Sequence, residues 1–484
     1  MEKKRETILR RTKIVATLGP ATDDAEILYE MCRAGLDVAR VNFSHGTHED
    51  QLRRIELLRQ AATRAGRFVG VLADLGGPKI RIESFVDGKV MLVDGASFAL
   101  DPAHDPRTGN AEVVGVAYPD LPRDVCKGDT LLLNDGLITL EVREVRGTRI
   151  QCTVIAGGEL SNRKGVNRKG GGISAGALTD KDRLDIRFVA ANKFDFVALS
   201  FVRDAEDVRE AKALLLDAGS HAHVIAKIER HEAIEELDAI IVASDGLMVA
   251  RGDLGVEMGY AEITGLQKTI IERSRAGNRI VITATQMMES MIQNPVPTRA
   301  EVSDVANAVM DGTDAVMLSA ETASGKHPLK AVQAMADVIE GAEKYQITHG
   351  RALLRVNSSF EVTEEAIAMA VMYTSSHMRV RAIVALTESG STPLWMSRIR
   401  SDIPINAFTR QEATRRRVTL YRGVYPIPFD VIPGDVQTLY GSIFALLLKM
   451  GLVDTGDLVI LTKGELSGVT GGTNSMQILA VTRH

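Results

Sequence analysis

The chain has 484 residues, with 58 basic and 63 acidic side chains, a net charge of −5 and a hydrophobic fraction of 45%. This is the composition of a folded globular protein of roughly three domains, and its charge excludes a uniformly basic coat for nucleic acid. Three scattered cysteines (Cys32, Cys126, Cys152) exclude a disulfide framework, and no apolar run approaches the ~18 residues of a membrane span. With no apolar stretch in MEKKRETILRRTK at the start, the expectation is a soluble, cytoplasmic protein.

Taken in order, KIVAT (13–17), LDVARVNF (36–43) and FVGVLAD (68–74) are runs apolar enough for strands covered on both faces. About a hundred residues of different character follow. Asp-Gly pairs at 87–88, 94–95 and 135–136 stand among Val, Leu and Thr runs, which predicts antiparallel hairpins. Gly76-Gly77-Pro78 opens this insertion and NRKGVNRKGGG (162–172) lies near its end, so a mobile lid is expected. The buried-strand pattern then resumes with FDFVALSF (194–201), HVIAKIE (223–229), GLMVARGD (246–253), RIVITATQ (279–286) and DAVMLSAE (314–321). Thr298 and Glu301 form a capping box before the helical stripe Val302, Val305, Ala306 and Val309. Eight βα units point to a closed parallel barrel, with a seven-stranded open doubly wound sheet as the competitor. Beyond about residue 350 a third α/β module shows strands AIVALT (382–387), PINAFT (404–409), VYPIPF (424–429) and DLVILT (457–462), with a buried helix at SIFALLLKM (442–450).

Polar residues collect at the C-terminal ends of the barrel runs, where such barrels carry their chemistry. They are Arg40, Asn42 and Ser44, then Asp74, Ser200, Lys227 with Glu229, Arg251 to Asp253, Thr285, and Ser319 with Glu321. A strand buried on both faces does not carry charge without reason. Alternation puts Lys227 and Glu229 on one face, and an internal ion pair explains those two as readily as a site does. Asp253 on the next strand end shifts the balance, because two carboxylates suit a hard divalent ion such as Mg²⁺. His45 and His48 lack cysteine partners, so zinc is not expected. In Arg251-Gly252-Asp253-Leu254-Gly255 the glycines permit close backbone approach, and the N–H groups of a helix starting there would receive a carboxylate; a plain tight turn is the alternative. Arg40 offers a fork for phosphate, although a lone arginine at a strand end is more often a salt-bridge partner. Together these groups describe a site for a small substrate with phosphate at one end and carboxylate at the other.

These residues resemble the pyruvate kinase family. The likeness is carried by KIVATLGPAT (13–22), ARVNFSHG (39–46), HVIAKIERHEAI (223–234), VARGDLG (249–255), TATQMMESM (283–291) and NPVPTRAEVSDVANAVMDGTDAVMLSAETASGKHP (294–328), and more loosely by NDGLI (134–138) and RKGVN (163–167). TESGSTPLWMSRI (387–399) resembles bacterial members activated by AMP or sugar monophosphates. The resemblance implies a (β/α)8 TIM barrel split as 1–75 and 175–348, an inserted antiparallel β-barrel lid at 76–174, a C-terminal α/β effector domain at 349–484, and a homotetramer. It implies phosphoryl transfer from phosphoenolpyruvate to ADP, giving pyruvate and ATP.

Under it, Glu229 and Asp253 would hold Mg²⁺, with Mn²⁺ as a substitute, and Lys227 would neutralise the phosphoryl group in flight. Arg40 would clamp the phosphate. The Gly252 and Asp253 amides with Thr285 would hold the carboxylate, and Thr285 would help deliver the proton through water. Asn42, Phe43, Ser44 and His45 match the loop beside the nucleotide, Arg81 and Lys164 match positions contacting ADP, and a second Mg²⁺ would sit largely on nucleotide oxygens. Potassium-dependent members have an acidic residue in place of Lys79, Thr-Lys in place of Leu75-Gly76 and Thr in place of Ile82. The implied reading is that the Lys79 ammonium replaces K⁺ near Asn42, Ser44, Asp74 and Leu75. Thr387, Ser389, Gly390, Ser391 and Thr392, between a strand and a helix, make an anion nest or an ordinary N-cap cluster. The resemblance favours an effector site, for glucose 6-phosphate or ribose 5-phosphate first, then AMP, with fructose 1,6-bisphosphate less favoured. The competing functions are a Mg²⁺-dependent lyase acting on an enolpyruvate-type substrate and a non-catalytic phosphometabolite sensor.

Overall fold

The computed structural model describes residues 10–349, 360, 362–430, 435–464 and 472–482. Eight parallel strands form a closed barrel: Lys13–Thr17, Val38–Asn42, Gly70–Asp74, Phe196–Leu199, His223–Ile228, Gly246–Ala250, Ile280–Ala284 and Ala315–Leu318. Closure comes from the pairing of the first strand with the eighth, Lys13 opposite Ala315 through Ala16 opposite Leu318. That contact discards the open sheet. Both faces of the strands are covered, which is why the runs read as continuously apolar. Ile14, Ala16, Val41, Val71 and Val197 pack outward beneath the helices. Val15, Leu72, Phe196, Ile225 and Ile282 pack inward, in a core continuous with C-terminal residues such as Val371, Ile383 and Tyr421. Several expected runs overshoot the observed strands by a few residues. Ser200, Phe201, Glu229, Thr285 and Gln286 lie beyond the last paired residues, and Arg251 and Asp253 already belong to the helix Arg251–Met258.

The capping box at Thr298 forms as expected. The Thr298 hydroxyl accepts the Glu301 N–H and the Glu301 carboxylate accepts the Thr298 N–H, starting the helix Arg299–Asp311. Val305, Ala308 and Val309 supply its buried stripe, and Gly312, at φ +97°, ends it in the left-handed conformation that a side chain disfavours.

The insertion is a β domain with its own core around Phe98, Leu131, Leu140 and Val154. A six-stranded sheet runs Val166–Arg168, Thr130–Leu133, Ile138–Arg146, Arg149–Ala156, Ser97–Leu100, Val113–Val114, and Lys89–Leu92 pairs separately with Gly158–Ser161. One expected feature is corrected here. All three Asp-Gly glycines have positive φ, but only Asp135-Gly136 joins two strands that pair with each other. The pairs at 87–88 and 94–95 turn corners, because Lys89–Leu92 pairs with Gly158–Ser161 and Ser97–Leu100 with Arg149–Ala156. Turn chemistry sets local backbone sign; packing of the domain chooses the partner.

The C-terminal module is a five-stranded sheet in the order Val424–Pro428, Ile405–Thr409, Ala382–Leu386, Leu458–Gly464, Thr473–Ala480. Its last strand runs antiparallel at the edge and was not legible in the sequence, because one face is exposed and the apolar run is broken. The expected helix at 442–450 is longer at its start, Val436–Lys449, where the Asp435 carboxylate caps the Thr438 N–H at 2.8 Å. Among the described residues no helix is long and apolar enough to cross a membrane.

Candidate active site

The strand ends converge on a cavity of about 180 Å³ at the mouth of the barrel. Lys227, on the fifth strand, is its centre. Its ammonium donates to Ser200 Oγ at 2.8 Å and lies 3.0 Å from Glu229 Oε1 and 3.2 Å from Asp74 Oδ1. Burial works against this charge, but Asp74 and Glu229 outweigh it and raise the pKa above the ordinary lysine value. The side chain is therefore an ammonium at any physiological pH.

Arg40 donates from Nε to Asp74 Oδ2 at 2.6 Å and from Nη1 to Thr17 Oγ1 at 2.9 Å. Burial would raise the Asp74 carboxyl, yet the Lys227 and Arg40 charges hold it below the ordinary carboxylate value. Glu229 behaves oppositely. It is buried and accepts the Phe201 N–H at 2.8 Å. Burial raises its pKa; Lys227 opposes that and the neighbouring Asp253 charge adds to it. Two carboxylates that repel each other across a cavity, each with hard oxygen donors, fit a divalent cation. No group of three or more His, Cys, Asp or Glu side chains suited to a metal occurs among the described residues. The protein would thus supply two oxygens and leave the remaining positions to water and substrate.

Asp253 sits in the first turn of the helix Arg251–Met258, so the helix start that the glycines allowed is present. The Gly252 N–H donates to Thr285 Oγ1 at 3.0 Å; these two residues adjoin Asp253 but are not themselves among those lining the cavity. Thr285 itself has φ +68°, a strained conformation for a β-branched residue and one that concentrates at functional sites. The strain is held by Arg251, which donates to the Ala284 and Thr285 carbonyls at 3.2 and 2.7 Å and is itself fixed by Asp304 at 2.7 Å.

Arg40, Asn42, Ser44, His45, Asp74, Leu75, Lys79, Arg81, Lys227, Glu229 and Asp253 all line the cavity. Lys79 makes its ion pair with Asp253 Oδ1, at 3.0 Å. Its ammonium is thus at Asp253, in the cavity that Asn42 and Ser44 also line. Phe43 points away: its ring is buried in a cluster with His48, Phe188 and Phe194, and its carbonyl accepts Lys181 Nζ at 2.7 Å. Lys164 lies on the lid strap, where its carbonyl accepts the Ile82 N–H and the adjacent Gly165 bridges to Arg81. Sequence reasoning assigned no role to Ser200, Thr17, Arg251 or Asp304. Ser200 and Arg251 stood at strand ends and were visible as such; Thr17 and Asp304 gave no signal, because their partners are distant in the chain.

The far loop also takes shape. The Gly390 N–H donates to Thr387 Oγ1 at 2.9 Å and the Ser391 N–H to Ser389 Oγ at 3.3 Å, opening the helix Ser391–Ser397. Thr392 is buried and hydrogen-bonded to Thr473 at 2.7 Å.

Residues 9–332 match the pyruvate kinase barrel-domain family, and residues 365–479 match the pyruvate kinase alpha/beta-domain family. The chain is 51% identical over 477 residues to pyruvate kinase II of Salmonella typhimurium, covering 98% of this chain and 99% of that protein. It is 50% identical over 463 residues to the pyruvate kinase of Haemophilus influenzae, covering 94% and 96%. It is 44% identical over 474 residues to that of Geobacillus stearothermophilus, covering 97% of this chain and 80% of its relative.

Proposed function

The chain belongs to the pyruvate kinase family, and on that premise we propose how the barrel mouth moves a phosphoryl group from phosphoenolpyruvate to ADP. The observation that carries the reading is Lys227 held between Asp74 and Glu229, with Asp253 across the cavity. The family works with Mg²⁺, and Glu229 and Asp253 are the residues that would hold it; when bound, the ion supplies positive charge that draws electron density from substrate oxygens. Arg40 orients the phosphate end. Its Nε and Nη1 are fixed on Asp74 and Thr17, which aims the guanidinium rather than leaving it to search. Lys227 meets the charge that spreads over the phosphoryl oxygens during transfer, so its contribution belongs to the transition state. The Gly252 and Asp253 N–H groups hold the substrate carboxylate at the start of their helix. Thr285 releases the Gly252 N–H to that carboxylate and positions the water that returns a proton to carbon.

The nucleotide lies between the Asn42–His45 loop and the lid residues Arg81 and Lys164. The ring of Phe43 supports this loop from beneath rather than touching the ligand. Lys79 takes the place of K⁺ beside Asn42, Ser44, Asp74 and Leu75. The loop Thr387–Thr392 receives the phosphate of a sugar monophosphate or of AMP, and the working assembly is a cytoplasmic homotetramer. Activation by each candidate at subsaturating phosphoenolpyruvate ranks the effectors, and the mass in solution checks the tetramer.

The primary test is a coupled assay with phosphoenolpyruvate, ADP and Mg²⁺, with and without K⁺. The expected result is pyruvate formation that needs ADP and does not need K⁺. Pyruvate formed without ADP would support the lyase instead. Effector binding with no turnover would support the sensor.

A further inference from the structure

A second basic cavity, of about 290 Å³, lies at the seam between the floor of the barrel and the C-terminal module. Arg11, Arg275, Arg400 and Arg422 line it, with Asp402 as the single carboxylate among its lining residues. It shares no lining residue with the barrel mouth or with the Thr387–Thr392 loop: its walls come from Arg11, from barrel-helix residues such as Arg275 and Gln346, and from C-terminal residues including Ser375, Ser376, Arg400 and Arg422.

The arginines are held in place chiefly by carbonyls and by carboxylates that are shared. Arg422 is 7% exposed; it donates to Thr313 O at 3.0 Å and lies 3.7 Å from Glu343 Oε1. Arg11 uses the same Glu343, with Nε 3.7 Å from Oε2, and donates from Nη1 to Ser401 O and Asp402 Oδ1 at 2.9 and 2.8 Å. Arg400 donates to Met310 O at 2.8 Å. Arg275 donates to Gly312 O and Arg398 O at 3.2 and 2.7 Å. Two buried nitrogens, Arg11 Nε and Arg400 Nε, have no hydrogen-bond partner. A buried N–H without a partner is costly, and more so on a charged group.

The electrostatics agree with the geometry. Arg275 is lowered to about 9, first by burial and then by the charges of Arg398 and Arg422, against which Asp314 is insufficient. Arg400 and Arg422 are lowered too, by burial first. Guanidinium groups do not give up their protons at neutral pH, so several like charges stand close together at this seam. Four serines also line the wall; the Ser375, Ser376 and Ser397 hydroxyls donate to the Met372, Tyr373 and Leu394 carbonyls, whereas Ser401 Oγ accepts the Ile403 N–H at 3.0 Å, which leaves its own proton for a ligand.

We propose that this seam cavity binds a small phosphate-bearing anion, inorganic phosphate or a phosphomonoester, and that the bound anion ties the barrel floor to the C-terminal module. Forked guanidinium donors from both sides of a domain boundary, with the Ser401 hydroxyl beside them, are the chemistry that recognises a tetrahedral dianion. An anion here neutralises like charges that each domain contributes, so its binding and the docking of the domains favour each other. The proposal does not depend on the catalytic reading.

The test is phosphate titration by calorimetry on the full chain, with Ser391→Asp to block the Thr387–Thr392 loop and Arg40→Ala to block the barrel mouth. In the double-blocked protein one phosphate should still bind. Adding Arg400→Ala should weaken that binding at least tenfold. Ser376→Asp, which places a carboxylate at the cavity while keeping every arginine, should do the same and serves if Arg400→Ala does not fold. Phosphate should also raise the melting temperature of the double-blocked protein and not that of the Ser376→Asp version. Absence of phosphate binding after the two proposed sites are blocked, or binding that survives Ser376→Asp unchanged, overturns the proposal.

Discussion

Lys227 carries a full charge into a buried position only because Asp74 and Glu229 meet it there, and this sets what its removal does. Lys227→Met should leave phosphoenolpyruvate binding largely intact and lower kcat by roughly a thousandfold, since a donor aimed at transition-state charge is worth about that much. Equilibrium binding and steady-state kinetics on one preparation separate the two effects, and a loss of tenfold or less removes Lys227 from the chemistry. Lys79 makes a different prediction. Its ammonium is 3.0 Å from Asp253 Oδ1, so a divalent cation arriving at that oxygen must displace it. Lys79→Met should bind Mn²⁺ several-fold more tightly than the parent in the absence of substrate, as read by the paramagnetic resonance of free Mn²⁺. Unchanged or weaker binding would mean that the pair does not compete with the metal. The companion variant Lys79→Glu should acquire a dependence on added K⁺, which tests the potassium reading on its own.

At the scale of elements, the lid is seated by named contacts rather than merely hinged on glycine. Gly77 has φ +62°, and a Cβ there would lie 2.8 Å from the side chain of Ser200. At the other connection the Gly172 N–H donates to Glu232 Oε1 at 2.6 Å and Arg230 to Ile173 O at 2.6 Å. The glycines permit close approach here as much as motion. Beneath the lid, Glu257 accepts the His231 N–H at 3.0 Å and contacts Asn167 of a lid strand at 3.5 Å. Burial pushes its carboxyl up to about 7, with Glu232 adding to the shift and the His231 N–H and Arg230 opposing it. A native pKa above the unfolded value of about 4.3 means that the folded state holds a proton the unfolded state has lost. This group's contribution to stability is therefore complete below about pH 4 and declines as pH rises to about 7. Glu257→Gln should remove that decline and gain a few kcal/mol at most over the parent above pH 7, with no gain near pH 4. Denaturant titrations across that range check it; a parallel pH dependence in the two proteins would clear Glu257 of the effect.

For the molecule as a whole, the barrel floor and the C-terminal module share one core and several ion pairs, of which Arg398–Asp314 is the most deeply buried. Arg398 donates to both oxygens of Asp314, which also accept the Val281 N–H at 2.9 Å and the Arg422 N–H at 3.2 Å. Asp314→Asn leaves a buried guanidinium without its counter-charge, and breaking such a pair costs about 3–5 kcal/mol. Denaturant unfolding should show that loss, with the two domains melting in separate steps. Much of this protein was legible before any coordinates. Uniformly apolar runs specified strands covered on both faces, and eight of them in βα order specified a barrel. Charge at the ends of those runs marked Arg40, Lys227, Glu229 and Asp253, because a charge next to a buried strand must have a partner or a ligand. Those features follow from local sequence and solvation alone. What only the tertiary structure decided are relations between distant segments. These include which strand the turns at Gly88 and Gly95 would serve, that Phe43 faces the core, that Lys79 reaches Asp253, that Arg251 and Asp304 brace a strained Thr285, and that arginines from two domains crowd one seam. Patterning is a property of neighbours along the chain, whereas pairing is fixed by which surfaces fit once the chain has closed on itself.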